Sequence, residues 1–377
     1  MSRINKKTTQ LLSAMILAGL SCHALADDTI RIGIAGPKTG PVAQYGDMQF
    51  SGARMAIEQI NARGGVDGKQ LVAVEYDDAC DPKQAVAVAN KVVNDGIKYV
   101  VGHLCSSSTQ PASDIYEDEG IVMITPAATS PELTARGYKM IFRTIGLDNA
   151  QGPAAARYIV GLKPANVAVL HDKQQYGEGI ATSVREILGK EGIKVAMFEG
   201  INVGERDYSS ILTKLKQANV DFVYFGGYHP EMGLLLRQAK EKGLSARFMG
   251  PEGVGNDSIS QIAKDAAEGM LVTLPKSFDQ DPANQALVAA FTAKQENPSG
   301  PFVLPTYSAV DVIAGAIVAA KSEDPEKVAA AIHSGTFKTP TGDLSFDEKG
   351  DLKDFKFVVY EWHYGKPKTE AGQSAGL

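Results

Sequence analysis

No catalytic signature runs through this sequence of 377 residues. It lacks a G-x-S-x-G elbow, an H-E-x-x-H pair, a lysine-bearing phosphate loop and a G-x-G-x-x-G behind its first apolar run. The common hydrolase, metalloprotease and nucleotide-binding classes therefore lose their signal. The stretch Gly250-Pro251-Glu252-Gly253-Val254-Gly255 is rich in glycine, but it has neither the lysine nor the helix-opening Ser/Thr of a phosphate loop. The 6 histidines show no ligand spacing, which removes the usual basis for a metal centre, and no cofactor is expected. Adjacent Asp77 and Asp78 on a strand would point to opposite faces and could not form a dyad. A basic surplus is missing as well. With 38 Lys and Arg against 44 Asp and Glu, the net charge is −6, the wrong sign for nucleic acid or an anionic membrane surface. Cysteine is scarce, at 3 residues, and there is no C-x-x-C.

What is present begins with an export signal over residues 1–26. Arg3, Lys6 and Lys7 give a basic start, Leu11 to Leu20 an apolar run, and Ala24-Leu25-Ala26 a small-residue cleavage site. The run is too short for a bilayer, which needs about 20 residues. Acylation at Cys22 is the alternative, but the preceding Gly19-Leu20-Ser21 fits that poorly, so cleavage near Ala26 is expected. No later stretch is read as long and apolar enough to span. The remaining chain, about 350 residues, is long for one core and comfortable for two lobes. Cys80 and Cys105 are then a lone pair in an oxidising compartment, which reads as a disulfide worth about 3 kcal/mol. A metal site or redox pair is the alternative, with no histidine spacing to support the first and no C-x-x-C to support the second.

Short β-rich runs alternate with segments of helical period. Strands are expected at Ile30–Ala35, Leu71–Tyr76, Tyr99–Gly102, Val122–Thr125, Val167–Leu170, Val195–Phe198, Phe222–Phe225 and Met270–Leu274. These runs do not alternate polar with apolar, which suits strands buried on both faces. Between them, Ala53, Ala56, Ile57 and Ile60 share one helix face, as do Ala85, Val88, Ala89 and Val92. Tyr208, Ile211, Leu212 and Leu215 repeat the spacing, followed by Met232, Leu235, Leu236 and Ala239. The expected fold class is α/β, with parallel-type central sheets and right-handed crossovers. The tail after Lys366 is polar and expected to fray. Composition alone marks no lobe boundary.

Open parallel sheets bind ligands beyond the carboxyl ends of their strands. Tyr99–Gly102 exits into His103-Leu104-Cys105-Ser106-Ser107-Ser108-Thr109, and Val122–Thr125 into Pro126-Ala127-Ala128-Thr129-Ser130-Pro131. Both are hydroxyl-rich turns before helices, the second with Ser130 as N-cap and Pro131 at the first helical position. Free backbone N–H groups and the helix dipole would suit a carboxylate or phosphate there; plain helix capping is the alternative reading of either turn. In the second half the exits are His171 to Gly177 with Tyr176, Gly226 to Pro230 with Tyr228, and Gly250 to Gly253 with Glu252. An acid framed by Gly and Pro could meet an ammonium group. A solvated loop acid and a half-buried aromatic are the bland alternatives for Glu252 and Tyr228.

At these residues the chain resembles the periplasmic leucine/isoleucine/valine-binding proteins of branched-chain amino-acid ABC importers. The likeness rests on GPVAQYGD (Gly40 to Asp47), YDDACDPKQAVAVANKVVNDG (Tyr76 to Gly96), GHLCSSSTQPASDIYEDEG (Gly102 to Gly120), HDKQQYGEG (His171 to Gly179), GGYHPEMG (Gly226 to Gly233) and MGPEG (Met249 to Gly253). It implies two Rossmann-like lobes joined by three hinge crossings, the type I periplasmic binding fold. Lobe 1 would hold Asp28 to Leu147 plus Lys276 to Phe355, and lobe 2 Asp148 to Pro275 plus the piece from Lys356. It implies a periplasmic monomer that captures free leucine, isoleucine or valine and docks on the membrane subunits of an ABC permease, without nucleic acid. Carried over by position, Ser106 (hydroxyl and amide), the Thr129 amide and the Tyr228 hydroxyl would take the ligand carboxylate. The Ala127 carbonyl, Thr129 hydroxyl and Glu252 would take its ammonium. Tyr45, Leu104, Cys105, Ala128, Tyr176 and Phe302 would form the wall. Tyr45 resembles the broader binders, leucine-restricted relatives having tryptophan there. One methylene discriminates by only about 1–3 kcal/mol, which leaves room for alanine or threonine as weaker ligands. A binding module feeding a sensory receptor and an α/β enzyme on the same scaffold are the competing functions.

Overall fold

A computed structural model describes residues 29–372. The expected export signal, with Ala26 and Cys22, lies outside the described residues. Five parallel strands form the first sheet: β1 (Thr29–Gly36), β2 (Gln70–Asp77), β3 (Tyr99–Gly102), β4 (Val122–Thr125) and β5 (Ile141–Arg143), in the order β2-β1-β3-β4-β5. A second sheet takes β6 (Val167–His171), β7 (Val195–Gly200), β8 (Phe222–Gly226), β9 (Arg247–Gly250) and β10 (Leu271–Pro275). A hairpin, β11 (Thr336–Thr339) with β12 (Gly342–Ser345), precedes two more members of that sheet, β13 (Phe357–Glu361) and β14 (Thr369–Glu370). Its order is β14-β13-β10-β9-β8-β6-β7.

The helices follow the strands in turn: α1 (Ala43–Ala62), α2 (Pro82–Asn94), α3 (Ser106–Asp118), α4 (Asp148–Leu162), α5 (Gln175–Lys190), α6 (Ser209–Gln217), α7 (His229–Glu241), α8 (Ile259–Ala263), α9 (Gln285–Ala293), α10 (Val303–Ala320) and α11 (Pro325–Ser334). The fold is the expected α/β class with two lobes, because strands without polar alternation must be covered on both faces. Every residue of β3, β4, β6, β8 and β10 is buried. Helix α2 shows the local logic: Asp81 accepts from the Lys83 and Gln84 amides at 2.9 and 2.8 Å, and Pro82 follows at the first helical position.

The centre of the second sheet is parallel as expected, with β13 added antiparallel beside β10; it returns from the other lobe without the crossover helix that parallel pairing requires. Three expectations need correction. The tail after Lys366 includes β14, which pairs with β13. After Ser130 there is only a three-residue 3-10 turn (Pro131–Leu133), and the Ser130 side chain makes no capping bond. Helix α10, 18 residues long, is apolar and long enough to cross a membrane by composition. It is instead a core helix, with Val303 to Val310 and Val312 to Ala314 buried in the first lobe.

The chain crosses between lobes three times: from β5 into α4, from β10 back towards α9, and from the β11–β12 hairpin to β13. Crossings one and three touch. A Cβ on Gly146 would come within 2.4 Å of the Phe355 ring, so only glycine lets these segments pack. Cys80 and Cys105 form a disulfide with Cα atoms 5.6 Å apart, closing a separation of 25 residues. Cys80→Ser should lower unfolding stability by about 3 kcal/mol in the chain-entropy view, read as a shift in urea midpoint; an unmoved midpoint contradicts this.

Candidate functional site

All five strand exits singled out in the sequence face one cleft. A cavity of about 210 Å³ lies between the lobes, lined by Leu104, Ser106, Ala127 and Phe302 from the first, and Tyr176, Tyr228, Glu252 and Gly253 from the second. Seven of the expected residues line it, with Gly253 added. Tyr45, Cys105, Ala128 and Thr129 are not in the lining.

The first lobe's half is two turns tied together. Ser106 is the first residue of α3 and 3% exposed, so its amide belongs to the set without intrahelical partners. Its hydroxyl accepts from the Ser130 amide at 3.3 Å. The Thr125 hydroxyl donates to the His103 carbonyl at 2.7 Å and accepts from the Ala127 and Ala128 amides at 3.3 and 3.0 Å. His103 is itself held by Asp78 at 2.5 Å and the Tyr116 hydroxyl at 3.0 Å, all three buried. Asp78 also accepts from the Cys80 amide at 2.9 Å, so the disulfide and the buried His–Asp pair hold the Leu104-Cys105-Ser106 turn from two sides. From below, Arg143 donates to the Ala128 carbonyl at 2.8 Å and the Ser130 carbonyl at 3.1 Å.

The second lobe's half is built around Glu252, 2% exposed in a single 3-10 turn. Its amide donates to Gln151 Oε1 at 3.0 Å, and the next amide, of Gly253, donates to the Tyr176 hydroxyl at 3.1 Å. A Cβ on Gly253 would meet the Gly227 carbonyl at 2.5 Å and the Tyr176 ring at 2.9 Å. Tyr176 and Tyr228 rings lie 5.3 Å apart. One Glu252 oxygen accepts from the Thr129 hydroxyl at 3.3 Å; the other, buried, has no partner among the described residues. Burial makes it a weaker acid than an ordinary carboxyl, raising its pKa, and the neighbouring charge of Asp148 raises it further. A buried carboxyl with a bare oxygen is the complement of a cation with N–H donors.

Tyr45 stands behind this arrangement. Its hydroxyl donates to the Glu252 and Gly253 carbonyls at 3.2 and 2.9 Å, a bond from α1 in one lobe to the other lobe. Its ring is flanked edgewise by Phe302 at 5.0 Å and His229 at 5.2 Å. Burial depresses His229 to about 4, so this imidazole is neutral. Thr129 sits beside Glu252, while Cys105 and Ala128 are buried beneath the lining.

Sequence reasoning passed over Arg143, Asp148, Gln151 and His229. Arg143 lies in a three-residue strand too short to read, and His229 looks like an ordinary helix start. Asp148 and Gln151 occupy the first turn of α4, where polar residues read as capping. Only the crossing that brings α4 beneath the β9 exit makes them part of the site.

The geometry has close relatives. A leucine-, isoleucine-, valine-, threonine- and alanine-binding protein of Pseudomonas aeruginosa is 66% identical over 371 residues, covering 98% of this chain and 100% of the relative. A Leu/Ile/Val/Thr-binding protein of Salmonella typhimurium is 58% identical over 366 residues, 97% of this chain and 100% of its own. The crystal structure of a branched-chain amino acid transporter substrate-binding protein from Streptococcus pneumoniae in complex with isoleucine matches with a TM-score of 0.81 at 27% identity, over 91% of this chain and 99% of that one. The family model for periplasmic binding proteins covers residues 29–367, and the chain belongs to that family.

Proposed function

We propose that this protein captures one free branched-chain amino acid in the periplasm and delivers it to the membrane subunits of an ABC importer. The observation that carries the reading is Glu252: a buried carboxyl with a bare oxygen, across a small cavity from the hydroxyl and helix-start amide of Ser106. A zwitterion stripped of water needs replacement partners at both charged ends, and such a cleft offers them from opposite lobes. In this reading Ser106, the Thr129 amide and the Tyr228 hydroxyl take the carboxylate. Glu252, the Thr129 hydroxyl and the Ala127 carbonyl take the ammonium. Leu104, Tyr176 and Phe302 enclose the aliphatic chain, with Cys105 and Ala128 beneath and Tyr45 as an interlobe brace. The moving bodies would be 28–147 with 276–355 and 148–275 with 356–377. Membership in a binding family and the names of the relatives support capture over turnover, and the Pseudomonas aeruginosa relative's name supports threonine and alanine as further ligands.

Calorimetry with a panel of free amino acids, after partial unfolding and dialysis to remove any carried ligand, tests this. Leucine, isoleucine and valine should bind at or below about micromolar, about −8 kcal/mol, with alanine and threonine weaker. No binding of the three at millimolar concentration overturns the proposal. Ser106→Ala should weaken leucine by about 1–3 kcal/mol, and an unchanged affinity removes it from the carboxylate role.

A further inference from the structure

Behind Glu252 lies a second buried carboxyl that the binding scheme leaves unused. Asp148 opens α4 and is 4% exposed. Its Oδ1 accepts from Gln151 Nε2 at 3.2 Å, while Gln151 Oε1 accepts from the Glu252 amide at 3.0 Å and the Thr273 hydroxyl at 2.7 Å. Gln151 therefore links the two acids. Thr129 links them a second time: its hydroxyl donates to Glu252 at 3.3 Å, and its carbonyl accepts from the Asp148 amide at 3.0 Å. A hydroxyl has one proton to donate, so given to Glu252 it leaves none for Asp148.

The surroundings offer little to offset a second negative charge. Arg143 on β5 acts on Asp148 but is already paired with Asp351 at 2.7 Å. The other titratable groups around the pair are Tyr45 from α1, Tyr176 from α5, Tyr224 from β8 and Tyr228 at the start of α7. All are held neutral, their ionisation pushed up by burial first and nearby acids second. Tyr224 adds another buried hydroxyl oxygen with no partner among the described residues. Two neighbouring carboxylates with so few donors, both away from water, cannot both ionise freely.

We propose that Asp148 and Glu252 hold one proton between them while the cleft is empty, and that docking of the ligand ammonium drives it off. The O–H bond on the pair breaks, its proton goes to solvent, and the ammonium N–H groups donate to the carboxylate left behind. Asp148 is a positioning residue here: it acts through Glu252 and need not touch the ligand. The inference rests on the amino-acid reading of the cleft.

The test is leucine binding by calorimetry at about pH 7 in phosphate and in Tris, whose ionisation enthalpies differ. The observed heat should depend on the buffer, with a slope of about half to one proton released per leucine. The affinity should rise from about pH 6 to about pH 8, by up to about tenfold per unit. Asp148→Asn should keep binding leucine but lose at least about half of that slope, because Glu252 no longer faces a neighbouring charge. Buffer-independent heat in the native protein overturns the shared proton, as does an undiminished slope in Asp148→Asn. If that variant does not fold, the native buffer and pH series decides alone. Absence of any leucine heat overturns the amino-acid reading instead.

Discussion

Glu252→Ala should weaken leucine binding by about 2–5 kcal/mol, roughly 30- to 5,000-fold, while leaving the ligand-free protein as stable as before or more so. The two effects share one cause. The carboxyl is buried with one oxygen that has no partner among the described residues, and an unsatisfied buried group costs about 1–3 kcal/mol. The bound ammonium would remove that penalty, so the side chain favours the complex at the expense of the empty fold. The backbone of the turn should survive, because its bonds to Gln151, Tyr176 and Tyr45 come from main-chain groups. Titration calorimetry and thermal melts on the same preparation check both halves. A large drop in melting temperature with intact affinity would mean that Glu252 is a structural acid. Tyr45→Phe should cost less affinity, since it removes one hydroxyl behind the wall; the opposite order would count against Glu252 as the ammonium partner.

The same group gives a signed pH dependence. Burial first, and the charge of Asp148 beside it, hold this carboxyl well above its usual value of 4.5 in the fold. Below the usual value the carboxyl is neutral whether the chain is folded or not, and no stability is at stake. As the pH rises, the unfolded chain ionises freely while the folded one resists, so stability is lost through the window up to the folded value. Asp172, pushed by burial up to about 7, acts with the same sign. Glu252→Ala should flatten part of this decline, and denaturant midpoints between about pH 5 and about pH 8 read it.

The second large effect belongs to Arg143. It is 0% exposed, pairs with Asp351 at 2.7 Å, and holds the Ala128 and Ser130 carbonyls and the Thr134 hydroxyl, the last at 2.7 Å. Arg143→Ala would leave the carboxylate of Asp351, 5% exposed, with only the Thr134 hydroxyl as partner among the described residues. Breaking a buried pair from one side costs about 3–5 kcal/mol, visible as a shift in urea midpoint. Leucine affinity should fall too, because the turn carrying Ala127 and Thr129 loses its floor. Arg143→Lys should rescue little, since one ammonium cannot reproduce a planar fork of donors. Arg143→Met combined with Asp351→Leu should recover much of the stability. A midpoint unchanged in Arg143→Ala would remove this pair from the account.

The strand exits that line the cleft were legible because their cues are local: hydroxyl-rich turns after two buried strands in the first half, and the stretches with Tyr176, Tyr228 and Glu252 after strands in the second. Which residue of each exit would meet a ligand came from the family resemblance, not from local pattern. The absent cues were non-local or too short. The three residues of β5 carry no period, and β13 returns antiparallel after a hinge crossing rather than after a helix. Helix α10 is apolar enough for a bilayer, and only its neighbours make it a core element.

The sequence by itself determined the strand–helix alternation, the cysteine pair and which strand exits carry polar side chains, because each depends on neighbours a few residues away. Which exits oppose each other was decided only by the tertiary structure. So was the burial that strips water from Glu252, and so was the meeting of Asp148, Gln151 and Thr129 behind it. Those depend on three chain crossings that bring residues over a hundred positions apart into hydrogen-bond range, as with Thr129 and Glu252, separated by 123. Desolvation and shared donors are properties of that assembled space, and no local pattern encodes them.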